Sequence, residues 1–99
     1  MKVILDHNLP EERAIICAEN IFKDLSEKYE DEFSDLEQKT DGNKILFSFK
    51  IRGMNISGTV TVNADNVSIE SKLPFAARIF QGLIENKIRE NADEKIAEC

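Results

Sequence analysis

The one histidine of the chain, His7, follows Asp6, and a carboxylate beside an imidazole is a pairing that can orient a general acid–base group. The position favours a plainer role. Asp6-His7-Asn8 stands where a short β-prone run gives way to a helix, and side chains there satisfy the open N–H groups of the first turn. A transition-metal site needs several converging ligands, and one histidine with two distant cysteines does not supply them. Cys17 falls inside an apolar helical pattern with no cation nearby to hold a thiolate, so it is expected to be a small core residue; Cys99 is expected to be exposed and open to oxidation. The pairs Glu11-Glu12 and Asp31-Glu32 are adjacent, and on a helix adjacent side chains diverge by about 100°. The glycines Gly42, Gly53, Gly58 and Gly82 are scattered and form no phosphate-cradling loop. The expectation is a protein that is not an enzyme, with no catalytic residues, no metal site and no cofactor.

Charge narrows the partners. Nineteen acidic residues against thirteen basic ones give a net charge of −6, with no basic stripe, which argues against nucleic acid and anionic membranes. Between Asp24 and Glu37, seven acids face Lys28 alone, the pattern of a solvated face. The N-terminal residues meet charge at once, and nowhere does an apolar run reach bilayer-spanning length. Two cysteines at such positions are not the framework of a small secreted protein. A cytoplasmic protein with reduced thiols and no membrane span is expected.

The elements that must position these residues follow from hydrophobic period. Val3, Ile4 and Leu5 suggest a strand, and Asn8 with Glu11 suggests a capping box, with Pro10 in the first turn. Ala14, Ile15, Ala18, Ile21, Phe22, Leu25 and Tyr29 recur at three and four, which predicts a helix of about twenty residues. Leu36 marks a short strand, and Thr40-Asp41-Gly42-Asn43 a turn. Ile45, Phe47, Phe49 and Ile51 then alternate with Leu46, Ser48, Lys50 and Arg52. A two-residue hairpin at Arg52-Gly53 sets Ile51 opposite Met54 and puts Ile56, Gly58, Val60 and Val62 on the same buried face. Val67, Ile69 and Leu73 continue that face in a last strand. Pro74 is expected to open a long helix from about Phe75, with two apolar rows: Phe75, Ile79 and Leu83 beside Ala76, Phe80 and Ile84. The predicted fold class is α+β, an antiparallel β-meander with one face covered by two amphipathic helices, in the order β-α-β-β-β(-β)-α, as a single domain over 1–99.

Two binding surfaces are suggested by this arrangement. Gly58 in a strand and Gly82 in a helix lack side chains where packing is expected. That leaves either tight helix-on-sheet contact or an apolar pocket near Phe47, Phe49, Gly58, Phe80 and Ile84. The row Ile84, Ile88, Ala92 and Ile96, spaced by four, drifts around the helix and either meets helix one or forms a symmetric homodimer contact.

Three blocks, taken in order, carry a resemblance. They are Asp6-His7-Asn8-Leu9 before a helix, Gly58-Thr59-Val60-Thr61-Val62 in the meander, and Leu73-Pro74-Phe75-Ala76-Ala77 leading to Phe80-Gln81-Gly82-Leu83-Ile84-Glu85 and Ile88-Arg89-Glu90. Together they resemble the small bacterial polyhydroxyalkanoic acid system proteins over nearly the whole chain. A Trp often found in that family before the Gly of the central hairpin is absent from Glu37-Gln38-Lys39-Thr40-Asp41-Gly42. The resemblance implies a bacterial, cytoplasmic, non-catalytic accessory or binding protein associated with polyhydroxyalkanoate storage. Its partner would be another protein or an apolar granule surface. The alternative is a small-molecule carrier of fatty or hydroxy acids, with its apolar pocket between the sheet and the C-terminal helix.

Overall fold

The computed structural model describes residues 1–73 and 75–99, with residues 75–77 described by their backbone path alone. Five strands and two helices follow one another as β1 (Lys2–Asp6), α1 (Glu11–Lys28), β2 (Phe33–Asp41), β3 (Lys44–Ile51), β4 (Met54–Val62), β5 (Asn66–Ser71), a 3-10 helix (Phe75–Phe80) and α2 (Gln81–Glu98). The strands make one antiparallel sheet in the order β1-β5-β4-β3-β2. The α+β class and the predicted order of elements hold.

Alternation decides the sheet's two faces. Ile45, Phe47, Phe49 and Ile51 of β3 and Ile56, Val60 and Val62 of β4 are buried, while Lys44, Leu46 and Lys50 are exposed. The hairpin at Arg52-Gly53 pairs Ile51 with Met54, as the spacing predicts, and both turn residues have positive φ (51° and 80°). Gly42 (φ 61°) turns the chain between the paired Asp41 and Lys44. Strand β2 is longer than its few apolar residues suggest. It runs from Phe33 to Asp41 because its register with β3 carries it, with an irregularity between Ser34 and Glu37 where Asp35 adopts φ 54°.

Both helices lie on the apolar face. The stripe of α1 buries Ala14, Cys17, Ala18, Ile21, Phe22 and Leu25 over β2 and β4, while α2 lies alongside α1 and reaches β1. At the centre, the Phe22 ring stacks on Phe47 at 4.3 Å, with Phe49 6.0 Å away and Phe33 5.1 Å beyond it. These aromatic side chains supply much of the apolar area that the core removes from water.

Three local expectations are corrected. The capping box of Asn8 and Glu11 does not form. Pro10 is itself the N-cap, extended at ψ 148°, so the helix begins at Glu11, two residues later than a cap at Asn8 implies, with no side-chain cap. The second helix does not start as an α-helix at Phe75. It runs as a 3-10 helix to Phe80, whose three residues per turn break the expected four-residue rows, and becomes α-helical at Gln81. The role of Pro74 as helix opener and the placement of the Phe75 and Ala76 side chains lie outside the described residues. Finally, Cys17 and Cys99 are not two free thiols but a disulfide, with Cα atoms 6.3 Å apart. The last turn of α2 returns beside α1, and that tertiary contact brings together residues 82 apart in sequence.

Candidate functional site

His7 occupies a closed hydrogen-bond arrangement. Its ring accepts the Leu9 N–H at Nδ1 (3.1 Å), and Nε2–H donates to the Asn63 carbonyl (2.9 Å), which assigns the neutral Nε2–H tautomer. The backbone N–H of His7 donates to Asp65 O at 2.9 Å. The buried imidazole thereby ties the β1–α1 junction to the β4–β5 turn, and Asp6 takes no part. Both ring nitrogens are committed to structure, which leaves neither for proton transfer.

The five residues of the expected pocket do not surround a common opening. Phe47, Phe49 and Ile84 are core residues, and Phe80 is half-buried with the Arg52 guanidinium 4.9 Å from its ring centre. At Gly58, a Cβ atom would stand 2.2 Å from Glu70 O, 2.8 Å from Phe47 Cζ and 3.0 Å from Ser71 Cα. The space of the missing side chain is filled by the Phe47 ring and by the close approach of β5. Gly82 meets nothing within 4 Å, so the two glycines do not face each other. A cleft of about 690 Å³ does border Gly58, but its walls include Lys2, Lys72, Arg78 and Glu70, and the aromatic cluster takes no part in it.

The row of Ile84, Ile88 and Ala92 is fully buried, and Ile96 is partly buried against the same core. Helix α1 lies alongside α2, and Ile84, Ile88 and Ala92 are buried within one chain. The seam between the helices is closed by polar contacts that the charge pattern did not reveal. Asp24 pairs with Lys95, Glu32 with Lys87 and, at 3.7 Å, with Arg52; the Lys87 ammonium lies 4.0 Å from the Tyr29 ring centre. The Lys87 hydrogen bond holds the Glu32 carboxyl below its ordinary value, and the Asp24 hydrogen bond holds the Lys95 ammonium above its own. Part of the acidic run therefore clamps α2 instead of facing water alone. Spacing gave a signal: Lys87 and Lys95 are eight residues apart, so they share one helix face.

Among the described residues the large apolar side chains left exposed are Ile4, Ile16, Leu46, Ile79 and Leu83, and the last two lie on the 3-10 segment and first α2 turn. Ile79 is 80% exposed and Leu83, four residues on, 38%. Both were expected from sequence in one apolar row of the second helix, and both are left uncovered here. Among the described residues no three potential metal ligands converge, and no helix is long and apolar enough to cross a membrane.

A sequence model of the family described as “Putative polyhydroxyalkanoic acid system protein” matches residues 1–96. The chain belongs to this family. No curated protein and no solved structure gives a significant match. The family description connects the chain to polyhydroxyalkanoate systems.

Proposed function

We propose that the protein is a non-catalytic accessory factor of polyhydroxyalkanoate storage that attaches to the apolar surface of a granule in the cytoplasm. The observation that carries this reading is the exposure of Ile79 and Leu83 at the α2 entrance, in a member of a family named for that storage system. Burial of a fully exposed side chain of this size in an apolar surface contributes about 1.5–3 kcal/mol, most of which is open to Ile79 and less than half to Leu83, already more than half buried. The exposed Arg78 beside them keeps the rim of the patch polar. His7, the one imidazole, supports a non-catalytic reading because its ring is held by backbone groups on both sides.

Co-sedimentation with isolated, washed polyhydroxyalkanoate granules tests the reading. The unmodified protein is expected in the granule pellet, and the double substitution Ile79→Ser with Leu83→Ser is expected to weaken binding at least about tenfold while leaving the fold intact. A parent protein that stays in the supernatant, or a double variant that pellets equally well, would sink the proposal.

A further inference from the structure

The two edges of the sheet are unlike. Strand β2 is blunted by its irregularity at Asp35 and by the charged Glu37, Lys39 and Asp41, and its Thr40 hydroxyl and Gln38 amide are already engaged by Glu19. Strand β1 has no irregularity; it carries one charge at each end, Lys2 and Asp6, with Lys2 3.5 Å from Glu70 of β5, and leaves the apolar Ile4 between them. It is a straight run, Lys2-Val3-Ile4-Leu5-Asp6, without Pro, Gly or bulge, and it pairs with β5 on one side alone.

Hydrogen bonds establish which way each of its residues faces. Met1 N donates to Ser71 O (2.7 Å) and Ser71 N to Met1 O (2.9 Å), and at the other end His7 N donates to Asp65 O. Bonded and non-bonded positions alternate in an antiparallel pair. Met1, Val3, Leu5 and His7 therefore turn their N–H and C=O groups toward β5. Lys2, Ile4 and Asp6 turn theirs to the open edge. The same three residues carry the exposed side chains of the strand, with Ile4 50% exposed on the uncovered sheet face.

We propose that β1 pairs antiparallel with β1 of a second copy of this chain, about a two-fold axis beside Ile4. This surface is independent of the Ile79 patch. In that register Ile4 exchanges backbone hydrogen bonds with the partner's Ile4, Lys2 with the partner's Asp6, and Asp6 with the partner's Lys2. Three pairs with two bonds each give about six inter-chain bonds. The parity fits without adjustment, because the three residues that meet are the three with open backbone groups.

The side chains fit as well. The exposed Ile4 packs on its symmetry mate, and on either side a lysine stands opposite an aspartate. Shifting the register by two residues places Lys2 opposite the partner's Ile4 or Asp6 outside the pair, so charge selects the centred alignment. An isologous contact of this kind closes on itself and joins two five-stranded sheets into one, which removes both unprotected edges at once.

Sedimentation velocity over a concentration series tests the pairing through a charge-swap cycle. The unmodified protein is expected to dimerise. Lys2→Asp and Asp6→Lys, each of which sets like charges opposite one another twice, should each raise the dimer Kd about tenfold, and the two together should restore it. Hydrogen exchange on the unmodified protein should show the Lys2, Ile4 and Asp6 amides slowing as the dimer fills. A monomer at high micromolar concentration overturns the proposal. So does a dimer whose β1 amides stay fast, or one in which the double substitution fails to recover what the single ones lose.

Discussion

Replacing Gly58 by Ala asks whether β4 and β5 approach as closely as the structure has them. The added methyl would lie 2.2 Å from Glu70 O and 3.0 Å from Ser71 Cα, both backbone atoms, and 2.8 Å from the Phe47 ring. Only the ring can move without disturbing the ladder, and Phe22 is stacked against it at 4.3 Å. To reach ordinary van der Waals separation, β5 must retreat by about 1 Å. That motion would weaken the pairing of Gly58 with Ser71 and the hydrogen bond from the Ser71 hydroxyl to Ser57 O (2.6 Å). Overpacking a filled site costs about 1–3 kcal/mol, and with two backbone neighbours the upper end is expected. At about 4–8 °C per kcal/mol for a domain of this size, Tm should fall by roughly 12–24 °C. Gly82→Ala is the control with opposite sign. Nothing lies within 4 Å of the new methyl, and a helical Gly→Ala change is worth up to about 0.5–1 kcal/mol in favour of the fold. Thermal and urea unfolding of both variants in one buffer gives the comparison. A Gly58→Ala protein within about 0.5 kcal/mol of its parent would refute the close approach, since an open pocket at Gly58 would take the methyl freely.

The disulfide predicts that native protein exposes no titratable thiol before reduction and two after it. Closing a loop across 82 residues contributes roughly 4.5 kcal/mol by chain entropy, so Cys99→Ser should lower urea stability by up to that amount; two free thiols in unreduced protein would contradict the pairing. Ile88→Glu places a carboxylate at a fully buried position between α2 and the core, and a loss of about 3 kcal/mol or more is expected by circular dichroism melting. A well-folded monomer from that substitution would show instead that the row faces outward in solution.

The meander was legible because two independent patterns agreed on it. Alternation in Ile45, Phe47, Phe49 and Ile51 sets the buried face, and the two-residue turn at Arg52-Gly53 fixes register, so every residue of β4 follows. The helical stripe of α1 was legible for the same reason at period 3.6. Position in the sheet was not. That β1 lies beside β5 depends on a long-range pairing across the meander, and no local pattern in Val3-Ile4-Leu5 names its neighbour. The 3-10 stretch before α2 was missed because rows drawn at four-residue spacing presuppose an α-helix. The disulfide was missed because composition speaks of compartment, whereas pairing depends on where α2 ends. With that pair in place, the cysteines no longer argue for a reducing environment.

The candidate site was harder to read, and Gly58 shows why. A glycine in a strand announces that a side chain is missing without saying what takes its place. Here Phe47 and the β5 backbone fill the gap, and Phe22 from α1 seals the ring from above. A ligand cavity on this face would require Phe22 to withdraw. Removing such a core aromatic typically costs about 3–5 kcal/mol, a large share of the stability of a domain of this size. The helix-covered side of the sheet is therefore committed to folding, as is the row from Ile84 to Ala92 that α1 covers. Among what the two helices leave uncovered are the exposed Ile79 and Leu83 at the start of α2, and the open edge of β1 with Ile4 at its centre. Because the two surfaces share no residue, loss of granule attachment in the Ile79 and Leu83 variant with the dimer intact, and the reverse in the β1 charge variants, would separate one role from the other.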